Sequence, residues 1–234
     1  MKIGGLVKSS LLDWPGKLTA VVFTVGCNFR CPFCHNRDLV TAELFRKSGL
    51  EEIGGEEVFE FLEKKRKLLD GVVITGGEPT IQKDLGEFCE RVKKLGFLVK
   101  LDTNGSNPEV IEQLIRSKYI DYVAMDYKTR FEEYAQIVNF KFQILNFKKI
   151  FKLLNSVKIG FELRTTAVPG IHDLEILKKM GSEIESGIWY WQDFRPENCL
   201  DEKYLKKKGF GKEKLEEWRE EVQKKAKGVR IEIR

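Results

Sequence analysis

Strand-length apolar runs alternate with helix-period segments along most of the chain. The pattern predicts strands at Leu18–Val25, Val72–Thr75, Leu98–Asp102, Tyr122–Asp126, Ile159–Thr166 and Ile188–Phe194. It predicts helices at Glu56–Leu69, Asp84–Leu95, Pro108–Ser117, within Leu145–Asn155, at Asp173–Met180 and at Glu213–Ala226. Pro108 follows Asn107 at a first helical turn, where its missing N–H costs nothing. Gly71, Gly96, Gly181 and Gly228 follow helices, where a left-handed cap favours glycine. Strand followed by helix, six times over, predicts a parallel sheet with right-handed crossovers. Val21-Val22-Phe23 and Val72-Val73-Ile74 are apolar on both faces, as a sheet covered on both sides requires. Six units fall short of a closed eight-fold barrel. The expected fold class is therefore α/β, a partial (β/α)6 TIM-like barrel with a parallel sheet. Val229–Ile233 alternates and predicts a short terminal strand. No repeat, low-complexity tract or linker interrupts the chain. One domain over 1–234 is expected, with its core at about 18–201 and a helix and short strand in 202–234.

Ligands of parallel α/β folds sit at the carboxyl ends of the strands. Here those ends carry Gly26-Cys27, Gly76-Gly77-Glu78-Pro79, Asp102-Thr103-Asn104-Gly105 and Asp126-Tyr127-Lys128. Arg164 lies late in the fifth strand, and Gln192 and Arg195 close the sixth. Six such ends on one rim predict one site.

Composition removes several classes. With 42% hydrophobic and 33% charged residues the chain has enough apolar surface to fold. No apolar run approaches the roughly 18–20 residues that span a bilayer, and Met1-Lys2-Ile3-Gly4-Gly5 has no signal-peptide core. A soluble, cytoplasmic protein without a membrane partner is expected. The net charge of +5 is mildly basic with mixed signs, as in Glu213–Lys227. It reads as a solvated surface, not a nucleic-acid patch. Abundant lysine and glutamate suit a heat-adapted protein.

Five cysteines, an odd number in a sizeable domain, argue against a disulfide framework. Cys89 shares an apolar helix face with Leu85, Phe88 and Val92, the place of a small buried residue. Cys27, Cys31 and Cys34 have C-x3-C-x2-C spacing and can grip one metal centre. A structural zinc needs a fourth ligand, and His35 adjoins Cys34 too closely to supply it easily. An iron–sulfur cubane usually takes four cysteines, so three leave one iron for a ligand that is not protein. Zinc, an electron-carrying cluster and an open-corner cluster are the three readings, and the last suits three thiolates best.

With Phe33 as its aromatic residue, C-x3-C-x-aromatic-C resembles the signature of the radical S-adenosylmethionine (SAM) superfamily. The resemblance implies a [4Fe–4S] cluster on Cys27, Cys31 and Cys34, its fourth iron chelated by SAM. Gly76-Gly77-Glu78-Pro79 resembles that family's GGE motif, which meets the methionine amino group. Leu101-Asp-Thr-Asn-Gly105, Met125-Asp-Tyr-Lys128 and Arg164 with Pro169-Gly170 resemble elements of glycyl-radical enzyme activating enzymes. Ile3-Gly-Gly-Leu6, Leu12-Asp-Trp-Pro-Gly16 and Gln192–Asp201 are similar to the anaerobic ribonucleoside-triphosphate reductase activating group. The likeness spans residues 3 to about 201.

It implies reductive cleavage of SAM to a 5′-deoxyadenosyl radical that takes hydrogen from a glycine of an anaerobic ribonucleotide reductase large subunit. Flavodoxin or ferredoxin is the implied reductant. The implied cofactor contacts are Phe33, His35, Gly76, Gly77, Glu78, Asp102, Thr103, Asn104, Asp126, Lys128, Arg164 and Gln192. Phe33 packs by cluster and adenine, Asp126 takes the ribose, and Lys128 and Arg164 offset the carboxylate. A monovalent cation is implied by Asp102 and Thr103. For Asp126 and Lys128 a plain rim salt bridge is the competing reading, and for Asp102-Thr103-Asn104 a capping turn. His172 reads as a capping or surface residue. Two departures stand out. Gln192 occupies a neighbourhood where related activases carry a histidine, and the 41 residues between Cys34 and Gly76 hold no cysteine, so one cluster is expected. The turn Asp13–Gly16 and the segment Arg195–Asn198 flank the two ends of the strand series and are expected at the rim of the open barrel's lateral gap, docking the partner. The rival functions are a radical SAM enzyme acting on a small molecule or peptide, and a zinc or iron–sulfur binding module without enzymatic activity.

Overall fold

The computed structural model describes residues 1–138 and 144–234. The chain divides into two units, residues 1–28 with 38–124, and residues 29–37 with 125–234.

In the first unit the chain runs through β1 (Ile3–Ser10), β2 (Thr19–Thr24), α1 (Ala42–Lys47), α2 (Gly55–Lys65), β3 (Gly71–Gly76), α3 (Leu85–Lys94), β4 (Leu98–Thr103) and α4 (Pro108–Arg116), and enters β5 (Tyr122–Asp126). The apolar runs form the strands because both their faces are covered. Val21, Val22, Val72, Val73 and Ile74 are all fully buried. β2 and β3 are parallel from Thr19↔Gly71 to Thr24↔Gly76, so their carboxyl ends finish level. β3 and β4 follow in parallel from Gly71↔Leu98 to Ile74↔Leu101. Asp121 N donates to Val99 O at 2.8 Å, bringing the chain into β5 beside β4. Local signals set the helix ends. Thr41 caps α1 by accepting from Leu44 N, and Pro108 opens α4.

β1 was not expected from the sequence. It pairs antiparallel with β2 across register shifts, and its burial fades from Ile3 to the exposed Lys8 and Ser9. Such a strand carries little hydrophobic period. Its Gly4 is needed because a Cβ there would meet Val25, Leu39 and Phe45 within 2.8 Å.

In the second unit follow α5 (Tyr134–Val138), α6 (Ile144–Ser156), β6 (Gly160–Ala167), α7 (Leu174–Glu183), β7 (Gly187–Asp193), α8 (Lys212–Gln223) and β8 (Val229–Ile233). β6 pairs with β7, and β7 with β8, all in parallel. Tyr127 N donates to Arg164 O at 2.8 Å as the chain leaves β5. Tyr127 is the hub of an aromatic core, with Tyr134, Phe147, Phe151 and Trp189 at ring distances of 5.7–6.5 Å. The expected terminal strand is present. Beyond it Arg234 forks onto the buried Glu162 with two bonds of 3.1 Å. Among the described residues no helix is long and apolar enough to cross a membrane.

One expectation is corrected here. Trp14 is buried with Val21 and Val73 and packs on Tyr122 at 5.7 Å. A Cβ on Gly71 would lie 3.1 Å from its ring. Gly71, Leu98 and Tyr122 begin their strands, so Trp14 plugs the amino ends of β3 to β5, opposite Gly76 and Thr103. An indole this apolar gains more from the core than from a rim. Trp14→Ala is expected to cost roughly 3–5 kcal/mol in denaturant unfolding; a docking role would leave that stability unchanged.

Candidate functional site

The first unit builds its part around the end of β2. Gly26 N donates to Leu39 O at 2.8 Å and Cys27 N to Val40 O at 3.0 Å, which fixes the backbone under Cys27. Gly77 N reaches Thr24 O at 2.9 Å and Glu78 N reaches Gly26 O at 2.8 Å. This approach leaves no room for side chains. A Cβ on Gly76 would sit 2.3 Å from Thr24 N, and one on Gly77 2.1 Å from Gly26 O. Gly76 also has φ +114°.

Glu78 is buried, and its carboxylate faces inward. Oε1 accepts from Thr80 N (3.1 Å), Thr80 Oγ1 (2.5 Å) and Thr103 Oγ1 (2.7 Å), and Oε2 accepts from Asn104 N (2.6 Å). Burial raises its pKa against the pull of these donors. The carboxylate thereby ties the end of β3 to the end of β4. Asn104 Oδ1 accepts from Ser106 N at 2.9 Å. That backbone donor fixes the amide's orientation, so Nδ2 donates to Asn28 Oδ1 at 2.8 Å and toward Cys27 Sγ at 3.9 Å. Asp102 lies 3.5 Å from Lys100 Nζ, and both are buried.

The second unit holds Phe33, Cys31, Cys34, His35, Asp126, Lys128, Arg164 and Gln192. Asp126 sits between two cations. Lys128 Nζ lies at 3.1 Å, and Arg164 Nε and Nη2 lie at 3.2 and 3.0 Å. Burial pushes the Asp126 carboxyl up, but Lys128 and Arg164 together outweigh it and hold it below its ordinary value. Burial opposes the Lys128 charge, yet Asp126 and then Cys31 raise its pKa above the lysine value. Burial pushes the Cys31 thiol up to about 12 and raises Cys34, while the Lys128 ammonium pulls both back. Phe33 is buried against Tyr204 at 6.3 Å. His35 Nε2 lies 2.8 Å from Arg195 O, and its ring stacks on Phe194. Gln192 is exposed near the end of β7.

His172 is not the capping or surface residue that its sequence position suggests. It is buried, with Nδ1 accepting from Val168 N at 2.9 Å and Nε2 bonded to Lys128 O at 2.9 Å. It therefore pins the backbone of Lys128 to the Pro169-Gly170 turn. Only its place just after that turn hinted at this.

These features suit an iron–sulfur centre with SAM. Three cysteines outside any disulfide lie within one eight-residue segment, two of them under the influence of the half-buried Lys128 ammonium. The glycine cradle brings the Gly76-Gly77-Glu78 backbone onto the residue preceding Cys27. Among the described residues no three His, Cys, Asp or Glu side chains are grouped to hold a single metal ion.

The radical SAM superfamily model matches residues 21–180. The chain belongs to that superfamily. It is 40% identical over 210 residues to a Methanocaldococcus jannaschii protein named as a candidate glycyl-radical enzyme activating enzyme, covering 87% of this chain and 84% of that one. A pyruvate formate-lyase-activating enzyme of Clostridium pasteurianum is 26% identical, over 79% of this chain and 76% of its own. Streptococcus suis SuiB, solved with S-adenosylmethionine bound, superposes with a TM-score of 0.66 at 16% identity. It covers 92% of this chain, which spans about half (49%) of SuiB, and it speaks for the fold alone. The fold class is the expected one, α/β of the radical SAM partial-barrel type. The protein is a radical SAM enzyme of the glycyl-radical activating family, and its cofactors are a [4Fe–4S] cluster and SAM.

The buried imidazole gives a pH test. Burial lowers the His172 pKa to about 4, below the ordinary histidine value of about 6.5. The unfolded chain binds this proton first as pH falls. His172 therefore costs nothing above about pH 6.5, and stability is lost progressively from there down to about 4, by about 2–3 kcal/mol at pH 4.5. Urea unfolding at pH 7.5 and 4.5 should show a smaller pH-dependent loss in His172→Gln than in the parent.

Proposed function

We propose that this enzyme activates an anaerobic ribonucleoside-triphosphate reductase by removing hydrogen from a glycine of that partner. The observation that carries the reading is the 40% identity with a candidate glycyl-radical activating enzyme, extending over 84% of it. The segments Ile3–Gly16 and Gln192–Asp201, similar to the ribonucleotide-reductase group, support the choice of partner. Glycine suits the role. It has no side chain to block approach, and a radical on its Cα is stabilised between two amides. The setting is cytoplasmic, and flavodoxin or ferredoxin is the reductant.

In this reading Cys27, Cys31 and Cys34 hold one cluster. When bound, the cluster supplies the electron that cleaves the sulfonium and the open iron that positions it. The chain's own residues bind, orient and exclude water. The Gly76–Glu78 backbone receives the methionine amino group, with Glu78 as the brace behind it. Phe33 and His35 flank the cluster and adenine. Asp126 takes the ribose hydroxyls, and Lys128 and Arg164 balance the carboxylate. Asn104 and Gln192 complete the contacts, and Asp102 with Thr103 takes a monovalent cation. The whole chain acts as one radical SAM domain.

Cys27→Ala, Cys31→Ala and Cys34→Ala should each abolish iron retention after anaerobic reconstitution, whereas Cys89→Ala and Cys199→Ala should keep it. Iron loss in Cys199→Ala would add a fourth ligand and reject the open-corner site. The reduced parent should release 5′-deoxyadenosine and raise a glycyl radical signal on an anaerobic ribonucleotide reductase. Cofactor cleavage without a radical on that partner would move the substrate elsewhere.

A further inference from the structure

One basic stretch of this protein lies beside the cysteine loop. Residues 202–214 hold six lysines and two glutamates, a net +4. Other basic stretches exist, such as Lys64–Lys67, and acidic residues offset them over the whole chain. A lysine-rich run is ordinarily a solvated face, and it is commonly mobile. This one is fastened at four places within its unit.

Asp201 N donates to Pro32 O at 2.9 Å, between Cys31 and Cys34 in the chain. Tyr204 packs its ring against Phe33 and Phe194, each at 6.3 Å. Lys207 Nζ donates to Pro169 O at 2.7 Å while lying 4.2 Å over the Tyr204 ring. Asp193 accepts from Phe210 N and Gly211 N, each at 2.9 Å, and thereby fixes the chain where it enters α8. Gly209 lies so close to Phe194 O that a Cβ would come within 2.4 Å of it. The anchors use Lys207 and leave Lys203, Lys206, Lys208 and Lys212 exposed. A basic patch is thus held in place on the cysteine loop itself.

What must arrive from outside at the cluster is an electron. A protein that delivers it has to dock over the cysteine loop, because electron transfer weakens steeply with distance. A glycine-bearing partner has to reach the 5′-carbon of SAM instead. Fixed like charges steer an oppositely charged protein and raise its association rate without a large apolar interface. Pre-ordering of the patch also lowers the entropic cost of docking.

We propose that the anchored segment 202–214 is the docking surface for an acidic one-electron carrier protein that reduces the cluster. The step moves one electron: the reduced carrier is oxidised by one electron, and the cluster goes from the 2+ to the 1+ state, with no atom transferred. The proposal rests on the reading that Cys31 and Cys34 are cluster ligands.

The test uses the full chain, reconstituted anaerobically, and follows the cluster's visible absorbance in stopped flow. Photoreduced flavodoxin hydroquinone is the protein donor and dithionite the small one. In Lys203→Glu/Lys206→Glu/Lys208→Glu, reduction by flavodoxin at low salt should slow by about tenfold or more. Reduction by dithionite and iron content should stay at the parent level. The corresponding triple arginine variant should keep the flavodoxin rate, and added salt should slow the parent toward the glutamate variant. Equal flavodoxin rates in parent and glutamate variant would overturn the proposal, as would an equal slowing with both donors. Unchanged flavodoxin reduction with loss of glycyl radical formation on the partner would assign the patch to the substrate protein instead. A parent that binds no iron, or that dithionite does not bleach, would overturn the cluster reading on which the proposal stands.

Discussion

The close approach of two backbones at the ends of β2 and β3 is the constraint on which the first unit's chemistry depends. Thr24 to Gly26 and Gly76 to Glu78 are joined by two hydrogen bonds at a separation that excludes any side chain. Because no Cβ fits, the residue before Cys27 and the backbone of the GGE motif are one rigid object. Glu78 extends that object to β4. A buried carboxylate with four donors has its desolvation only partly offset by its bonds, and its removal would leave Thr80, Thr103 and Asn104 without that acceptor. In the proposed function this stiffness would help to hold the sulfonium in place.

In the second unit charge plays the part that backbone contact plays in the first. Lys128 is half-buried and stays charged because Asp126 stands 3.1 Å away. Asp126 stays ionised because Arg164 helps Lys128 overcome the desolvation. His172, neutral, holds the Lys128 backbone without adding charge. The same ammonium opposes the burial that raises the Cys31 and Cys34 thiols.

The family is read from the chain's match to the superfamily model and to activating enzymes, and the fold is shared with enzymes of different substrates, so the fold does not name the partner. Features outside the common core are where such proteins differ. The lysine-bearing segment after β7 carries none of the motifs of the superfamily, yet it is bound to the cysteine loop through Pro32 and Phe33.

The class of chemistry was legible in the linear chain, because its motifs are short contiguous patterns. Cysteine spacing is local, glycine pairs mark places where Cβ cannot go, and strands buried on both faces announce themselves as unbroken apolar runs. The linear chain also determined which strand ends carry polar residues, since each motif directly follows its strand. The tertiary structure decided what depends on partners far away in the chain. β1 exists because β2 offers it an edge, not because of its own pattern. Trp14 looked like a rim residue from its turn, but packing 57 to 108 residues along the chain, on Gly71 and Tyr122, puts it in the core at the strands' amino ends. Glu78 looked like a ligand contact, and only Thr103 and Asn104 reveal that its carboxylate turns inward. His172 has no local signal for burial, because the backbone oxygen that fixes it belongs to Lys128, 44 residues earlier. A polar side chain's direction is set by whichever donor or acceptor folding brings to it, and that is the information a linear pattern does not contain.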